Sequence, residues 1–363
     1  VLYILTILAI IYTIILENRN PVRTLAWILV LVLVPGIGLF FYIYFGMNYR
    51  KIKMFSMKGL GDFKWLQYMS EDQKQRIKKA ELLKKEDMEA VKPLMTLLLN
   101  NSKALLSRNN TIEILNNGEA TFGSIFKAIA KAKKYIHLEY YIIDKGELGE
   151  KLKELLITKA KEGVEVRVIY DDVGSWKLPK RYIKEMKAAG IQIFPFLPVR
   201  FPLFTNKVNY RNHRKIVVVD GDTGFIGGLN FADRYLHGLP GIWRDTHLKV
   251  KGEAVTSLQV VFLFDWYFVR QELLLNKTEY LPNKKVDGNV VVQTVASGPD
   301  SDWTSIQQAY FTLINMAKKY VFISTPYFMP GETTINSLKT AAMSGVDVRI
   351  MIPYKSDSLL THW

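Results

Sequence analysis

His213 and Lys215 stand two residues apart at the head of an apolar run, Ile216-Val217-Val218-Val219, that ends in Asp220. The run is β-branched, as in a buried strand, and alternation along a strand puts the imidazole and the ammonium on one face. Such a pair suits a phosphate. One group can attack phosphorus or pass a proton, and the other can hold the anionic oxygens. Asp220 lies an odd number of positions from His213, points the other way, and is expected to anchor backbone rather than touch substrate. Gly227, Gly228 and Asn230 follow shortly after. The glycines let a ligand approach the main chain, and the Asn230 amide can donate to a phosphate oxygen. The bland alternative is a core strand that happens to carry two basic residues.

His-x-Lys-x(4)-Asp followed by Gly-Gly-x-Asn resembles the signature of the phospholipase D superfamily. The resemblance implies an α/β fold, a mixed sheet flanked by helices in two repeated half-domains. It also implies a reaction without metal or cofactor. One histidine attacks phosphorus to give a phosphohistidine, while a second protonates the leaving alcohol and then deprotonates the incoming one. His213 is the candidate for one of these roles, with Lys215 and Asn230 neutralising charge on the phosphoryl oxygens. Superfamily members place an acidic residue beyond the histidine, and Asp245 stands there, in Trp243-Arg244-Asp245-Thr246-His247. It is expected either to fix the tautomer of His213 or to pair locally with Arg244. His137, His237, His247 and His362 lack metal-ligand spacing and read as structural or surface residues. Glu139 shares a strand face with His137, and either approaches the cleft or is structural.

These residues need a sheet to hold them. From Thr111 the pattern runs strand, glycine, helix, strand, helix, strand. The strands are Thr111 to Leu115, Tyr135 to Ile143 and Val164 to Tyr170, and the helices run from Gly118 to about Lys134 and from Leu148 to Lys161. The order returns later: Lys318-Lys319-Tyr320-Val321 echoes Lys133-Lys134-Tyr135-Ile136, and Gly345-Val346-Asp347-Val348 echoes Gly163-Val164-Glu165-Val166. Such an echo predicts a duplicated half-domain. Gly163 and Gly345 are 182 positions apart, which puts the partner of His213 near position 395, beyond Trp363. The second half is therefore expected to be truncated here, with the second motif in the uncut chain or in another subunit. Between the halves' motifs, Lys180 to Ala189 reads as a helix. Ile193 to Phe204, rich in Phe and Pro, either lines an acyl-chain cleft or covers the sheet edge. Gly252 to Leu275 reads as an aromatic-rich core helix.

The amino-terminal part differs in kind. Leu25 to Phe45 carries no charged residue and would span roughly 31 Å as one helix, about a bilayer's hydrocarbon core, with Pro35, Gly36 and Gly38 as kink points. Val1 to Leu16 is likewise uncharged. Two transmembrane helices over 1–46 are expected, with Arg50, Lys51, Lys53, Lys58 and Lys64 placing the remainder in the cytoplasm. The Asn-Pro-Val-Arg-Thr-Leu-Ala-Trp entry and Pro-Gly-Ile-Gly-Leu centre resemble the membrane segment of bacterial cardiolipin synthases. Residues 47–110 read as a helical juxtamembrane linker in which Glu71 to Ala90 is a solvated helix stopped by Pro93. Then follow a first half over 111–280 and the start of a second over 286–363.

Lys plus Arg number 49 against 34 Asp plus Glu, a net charge of +15. That excess suits an anionic partner, a membrane surface or a nucleic acid. Cysteine is absent, which excludes disulfides and thiolate metal sites. The resemblance implies a phosphatidyltransferase of the cell membrane that joins two phosphatidylglycerols with release of glycerol, acting without nucleic acid and open to oligomerisation. A phosphodiesterase acting on nucleic acid and a silent half-site protein that works by binding are the alternatives.

Overall fold

The computed structural model describes residues 7–8, 10–12, 21–34, 36–42, 61–78, 86–199, 211–237, 243–275, 277–282, 286–298, 301 and 303–354. Two compact units divide the chain. The first joins Val1–Lys58, Ile112–Val250 and Phe262–Tyr280; the second joins Gly59–Thr111, Lys251–Val261 and Leu281–Trp363.

At the amino terminus the expected long span is two pieces, α1 (Pro21–Leu33) and the short α2 (Ile37–Phe41). Among the described residues no helix is long and apolar enough to cross a membrane. The reason lies at the junction. Proline lacks an N–H and disfavours helical geometry in the residue before it, and Gly36 takes φ 78°, a left-handed conformation open to glycine. The chain turns back rather than bending slightly: the Trp27 and Tyr42 rings meet edge-on at 5.5 Å. Most of Val1 to Leu16 lies outside the described residues.

The linker holds the helices α3 (Gly61–Lys78) and α4 (Glu86–Ser102), residues 79–85 lie outside the described residues, and Pro93 lies inside α4 instead of stopping it. Burial of Met95 and Leu99 against Leu106 holds that helix together; it offsets a proline cost of about 3 kcal/mol.

In the first unit, β1 (Leu106–Asn116) enters and is followed by α5 (Asn117–Ala130), β2 (Tyr135–Tyr140), α6 (Glu147–Lys161), β3 (Glu165–Asp171), α7 (Lys180–Ala188) and β4 (Gln192–Phe196). Then come β5 (Lys215–Val219), β6 (Thr223–Gly227), β7 (Thr246–Gly252) and α8 (Ala254–Arg270). The strand order β4-β3-β2-β5-β6-β7-β1 is mixed. β2, β3 and β4 are parallel, whereas β5 runs antiparallel to both β2 and β6. The fold is α/β as expected. The Phe- and Pro-rich stretch begins as the edge strand β4, where Pro195 costs no inner ladder bond; residues 200–210 lie outside the described residues.

Alternation sorts the two faces. Leu138, Tyr140, Val217 and Val219 join Phe122 and Ile125 of α5, Leu152 of α6 and Tyr182 of α7 in one core. On the other face His137 stacks on Phe262 of α8 at 4.5 Å. Asp220 (φ 53°) and Gly221 (φ 65°) reverse the chain between β5 and β6, and the Asp220 carboxylate accepts the backbone N–H groups of Lys133, Lys134 and Tyr135 at 2.8–2.9 Å.

The second unit holds α3, α4 and the start of β1, which pairs antiparallel with β8 (Val290–Gln293). It also holds α9 (Ser305–Met316), β9 (Tyr320–Ser324), α10 (Glu332–Met343) and β10 (Asp347–Met351), with β9 and β10 parallel. The echo in sequence is an echo in backbone. Gly163 and Gly345 take φ 87° and 90°, and Val164 N–H bonds Lys159 C=O as Val346 N–H bonds Ala341 C=O, both at 3.0 Å. Glu165 and Asp347 then donate to Lys134 and Lys319, again at 3.0 Å.

Candidate active site

Antiparallel pairing of β5 with β2 sets Lys215 opposite Tyr140, so Lys215 opens its strand on the core face and is buried. Its Nζ lies 3.2 Å from His213 Nδ1 and donates to the His213 carbonyl at 2.7 Å. The adjacency expected from alternation is therefore a direct contact. Tyr141 completes the group: its ring meets the His213 ring at 4.6 Å and underlies Lys215 Nζ at 5.4 Å.

The turn carrying His213 is fixed from both sides. Asn212 Oδ1 accepts from Arg214 N–H at 3.0 Å, and Asp171 accepts from Asn212 N–H at 2.9 Å. Asn212 Nδ2 donates to the fully buried Glu139, and Arg214 pairs with Asp265 of α8. Glu139 thus faces α8 beneath the turn, away from the face of Lys215. Burial, and then the neighbouring Asp265, push its carboxyl well above the usual range. Sequence reasoning missed Tyr141, Asp171, Asn212 and Asp265; a polar Asn directly ahead of the motif histidine was the one signal available.

Asn230 is buried and already bonded: its Oδ1 accepts from Ile142 N–H at 3.1 Å and its Nδ2 donates to Tyr235 OH at 3.3 Å. An amide carries a second N–H. Asp245 makes no hydrogen bond to His213 among the described residues. Its Oδ1 accepts from its neighbour Thr246 N–H at 2.7 Å, and its charge acts on Lys215. Arg244 Nη1 donates to its backbone carbonyl at 2.5 Å. Asp220 closes the far end of β5 from His213 and anchors backbone there, away from the candidate catalytic pair. Gly227 and Gly228 serve the protein first. A Cβ on Gly227 would lie 2.5 Å from His247 Cα, and one on Gly228 would lie 2.1 Å from Asp245 Oδ1.

Burial, then the Lys215 charge, lower His213 to about 4, so its ring is neutral near pH 7 although it still reaches solvent. Burial lowers Lys215 to about 8, with Asp245 opposing. A neutral imidazole beside an ammonium can serve as a nucleophile beside an anion holder. His247 is fully buried with neither ring nitrogen bonded, and is lowered to about 3. His237 is exposed beside Glu147 at 3.3 Å, His137 accepts from Arg167 at 3.2 Å with the ring in its neutral form, and His362 lies outside the described residues. No group of His, Asp or Glu that could hold a metal occurs among the described residues.

Comparison with known proteins decides the lineage. Residues 125–258 and 310–362 match the family described as "Cardiolipin synthase, PLD-like domain", and residues 4–46 match "Phospholipase_D-nuclease N-terminal". The chain is 45% identical to a cardiolipin synthase of Geobacillus sp. over 97% of its length and 70% of that protein's. It is 46% identical to cardiolipin synthase 2 of Bacillus cereus, over 94% of this chain and 66% of that one. The chain belongs to the PLD-like cardiolipin synthase family. A phosphatidylserine synthase of Haemophilus influenzae shares the fold, with a TM-score of 0.50 at 21% identity, covering 72% of this chain and 66% of that one. Family membership makes the chain an enzyme of phosphatidyl transfer.

Proposed function

We propose that this chain is a cardiolipin synthase that moves the phosphatidyl group of one phosphatidylglycerol to a second and releases glycerol. The observation that carries the reading is the neutral His213 ring held against the Lys215 ammonium at the open end of β5. While Lys215 donates to Nδ1, the ring proton sits on Nε2. An arriving phosphate draws the ammonium to its oxygens, and the proton moves to Nδ1, which frees the Nε2 lone pair.

His213 then attacks phosphorus. An N–P bond forms, the P–O bond to glycerol breaks, and the leaving oxygen takes a proton from a second histidine. The hydroxyl of another phosphatidylglycerol gives its proton back to that histidine and attacks phosphorus, releasing His213. The second histidine rests on the superfamily resemblance and the repeat. Lys215 holds the developing charge, with Asn230 offering its second N–H and Asp245 opposing the loss of the Lys215 proton. No step requires a metal or cofactor.

A lipid substrate agrees with the amino-terminal segment. Val22, Leu25, Leu29, Val32, Leu33 and Ile37 are exposed apolar side chains on α1 and α2, and such a surface belongs in a bilayer rather than in water. We read the protein as resident in the cell membrane with its catalytic part on the cytoplasmic side. Incubating intact enzyme with labelled phosphatidylglycerol should give cardiolipin and glycerol, and His213→Ala should lower the rate at least 10³-fold, a loss of about 4 kcal/mol of barrier reduction. Cardiolipin formation unchanged in that variant overturns the assignment.

A further inference from the structure

Between β3 and α7 the chain makes a turn whose tip, Trp176, is 77% exposed. A large amphipathic ring at that exposure is costly in water and well placed at a membrane interface. Beside it α7 is two-sided. Tyr182 and Met186 are buried, with Leu178 just ahead of the helix, and Lys177, Lys180 and Lys184 are exposed. No carboxylate partner for these three lysines occurs among the described residues, whereas Arg181 on the same side is paired with Glu185 at 2.7 Å.

The turn is firmly built. Asp171 accepts from Val173 N–H and Gly174 N–H at 3.0 and 2.9 Å. Ser175 Oγ donates to the Tyr141 carbonyl at 3.1 Å and accepts from Ile143 N–H at 3.0 Å. The anchors are those of the active site: Asp171 also accepts from Asn212, next to His213, and Tyr141 carries the His213 ring. The turn that carries Trp176 is therefore tied to the same two residues, Asp171 and Tyr141, as the turn that carries His213.

We propose that Trp176 and the exposed lysines 177, 180 and 184 form the face by which the catalytic unit lies on an anionic bilayer, bringing the His213–Lys215 rim down to the headgroups. The inference rests on the lipid-substrate reading. Anionic headgroups attract juxtaposed lysines within a Debye length, and the indole fixes depth. An anionic bilayer is chosen over a nucleic acid because the face adjoins a site read as acting on a lipid.

The chain contains no cysteine, so Trp176→Cys or Lys177→Cys in the full chain accepts a single environment-sensitive label. Lys161→Cys, at the end of α6 that leads into β3 from the opposite side, is the control. Doxyl-lipid nanodiscs of phosphatidylglycerol should quench the label at 176 or 177 at least twofold more than at 161. In phosphatidylcholine, or for the label at 176 with Lys177, Lys180 and Lys184 changed to Glu, that excess should disappear. Equal quenching at tip and control, an excess that is the same in phosphatidylcholine, or a label that responds to an oligonucleotide instead of the nanodisc overturns the proposal. Cardiolipin formation, measured separately, reports on the assigned reaction: loss of product with quenching intact sinks the reaction and leaves the surface standing.

Discussion

Lys215 is bound to the protein and, in the proposed mechanism, also holds substrate. It contacts the ring and carbonyl of His213, and burial has brought its ammonium down to about 8. His213 must be neutral to attack and Lys215 charged to hold the phosphate. Cardiolipin formation should therefore rise through about pH 4, as His213 deprotonates, and fall through about pH 8, as Lys215 loses its proton. A rate profile still climbing above pH 9 would contradict these roles. Glu139 makes a second residue-scale prediction. Its carboxyl is buried and raised, which favours the protonated form, and it shares its site with Asn212 and Asp265. Glutamine has the shape and hydrogen-bonding pattern of a protonated glutamate. Glu139→Gln should keep the rate within about threefold, whereas Glu139→Ala, which leaves Asn212 only the long bond to Asp265, should cost about 2 kcal/mol of stability, read as a lower melting temperature.

At the scale of elements, alternation made β5 and its neighbours legible: a β-branched run with His213 and Lys215 at its head could sit only as a buried strand with both side chains at one end. The glycine after residue 162 and its counterpart after residue 344 likewise marked two equivalent helix exits. Pairing was not legible. Which strand lies beside β5 is set by tertiary packing, and that placed Tyr141 under His213 and Asn212 against Glu139. How sharply a chain breaks at a proline or glycine depends on packing in the same way. Pro93 survives within α4 because buried leucines repay it, while the Gly36 turn lets α2 fold back on α1. The β6–β7 contact gives the prediction at this scale. Gly227→Ala puts a methyl on the His247 backbone and should destabilise the unit by about 1–3 kcal/mol, seen in a lower melting temperature.

The whole molecule carries a net charge of +15, and a cationic surface attracts an anionic substrate phase at long range in a salt-dependent way. In detergent micelles with phosphatidylglycerol, kcat/KM should fall as salt rises from low to physiological strength while kcat stays within about twofold. Invariance of kcat/KM would mean that the charge does not steer substrate. The sequence alone settled the strand with its imidazole and ammonium, the repeated α/β order and the basic balance, because strand period and composition are local properties. Tertiary structure decided which charge Asp245 faces, which backbone N–H groups Asp220 anchors, and that the Trp176 tip rises from the same anchors as the turn carrying His213. Those depend on contacts between residues tens of positions apart, which no local pattern encodes.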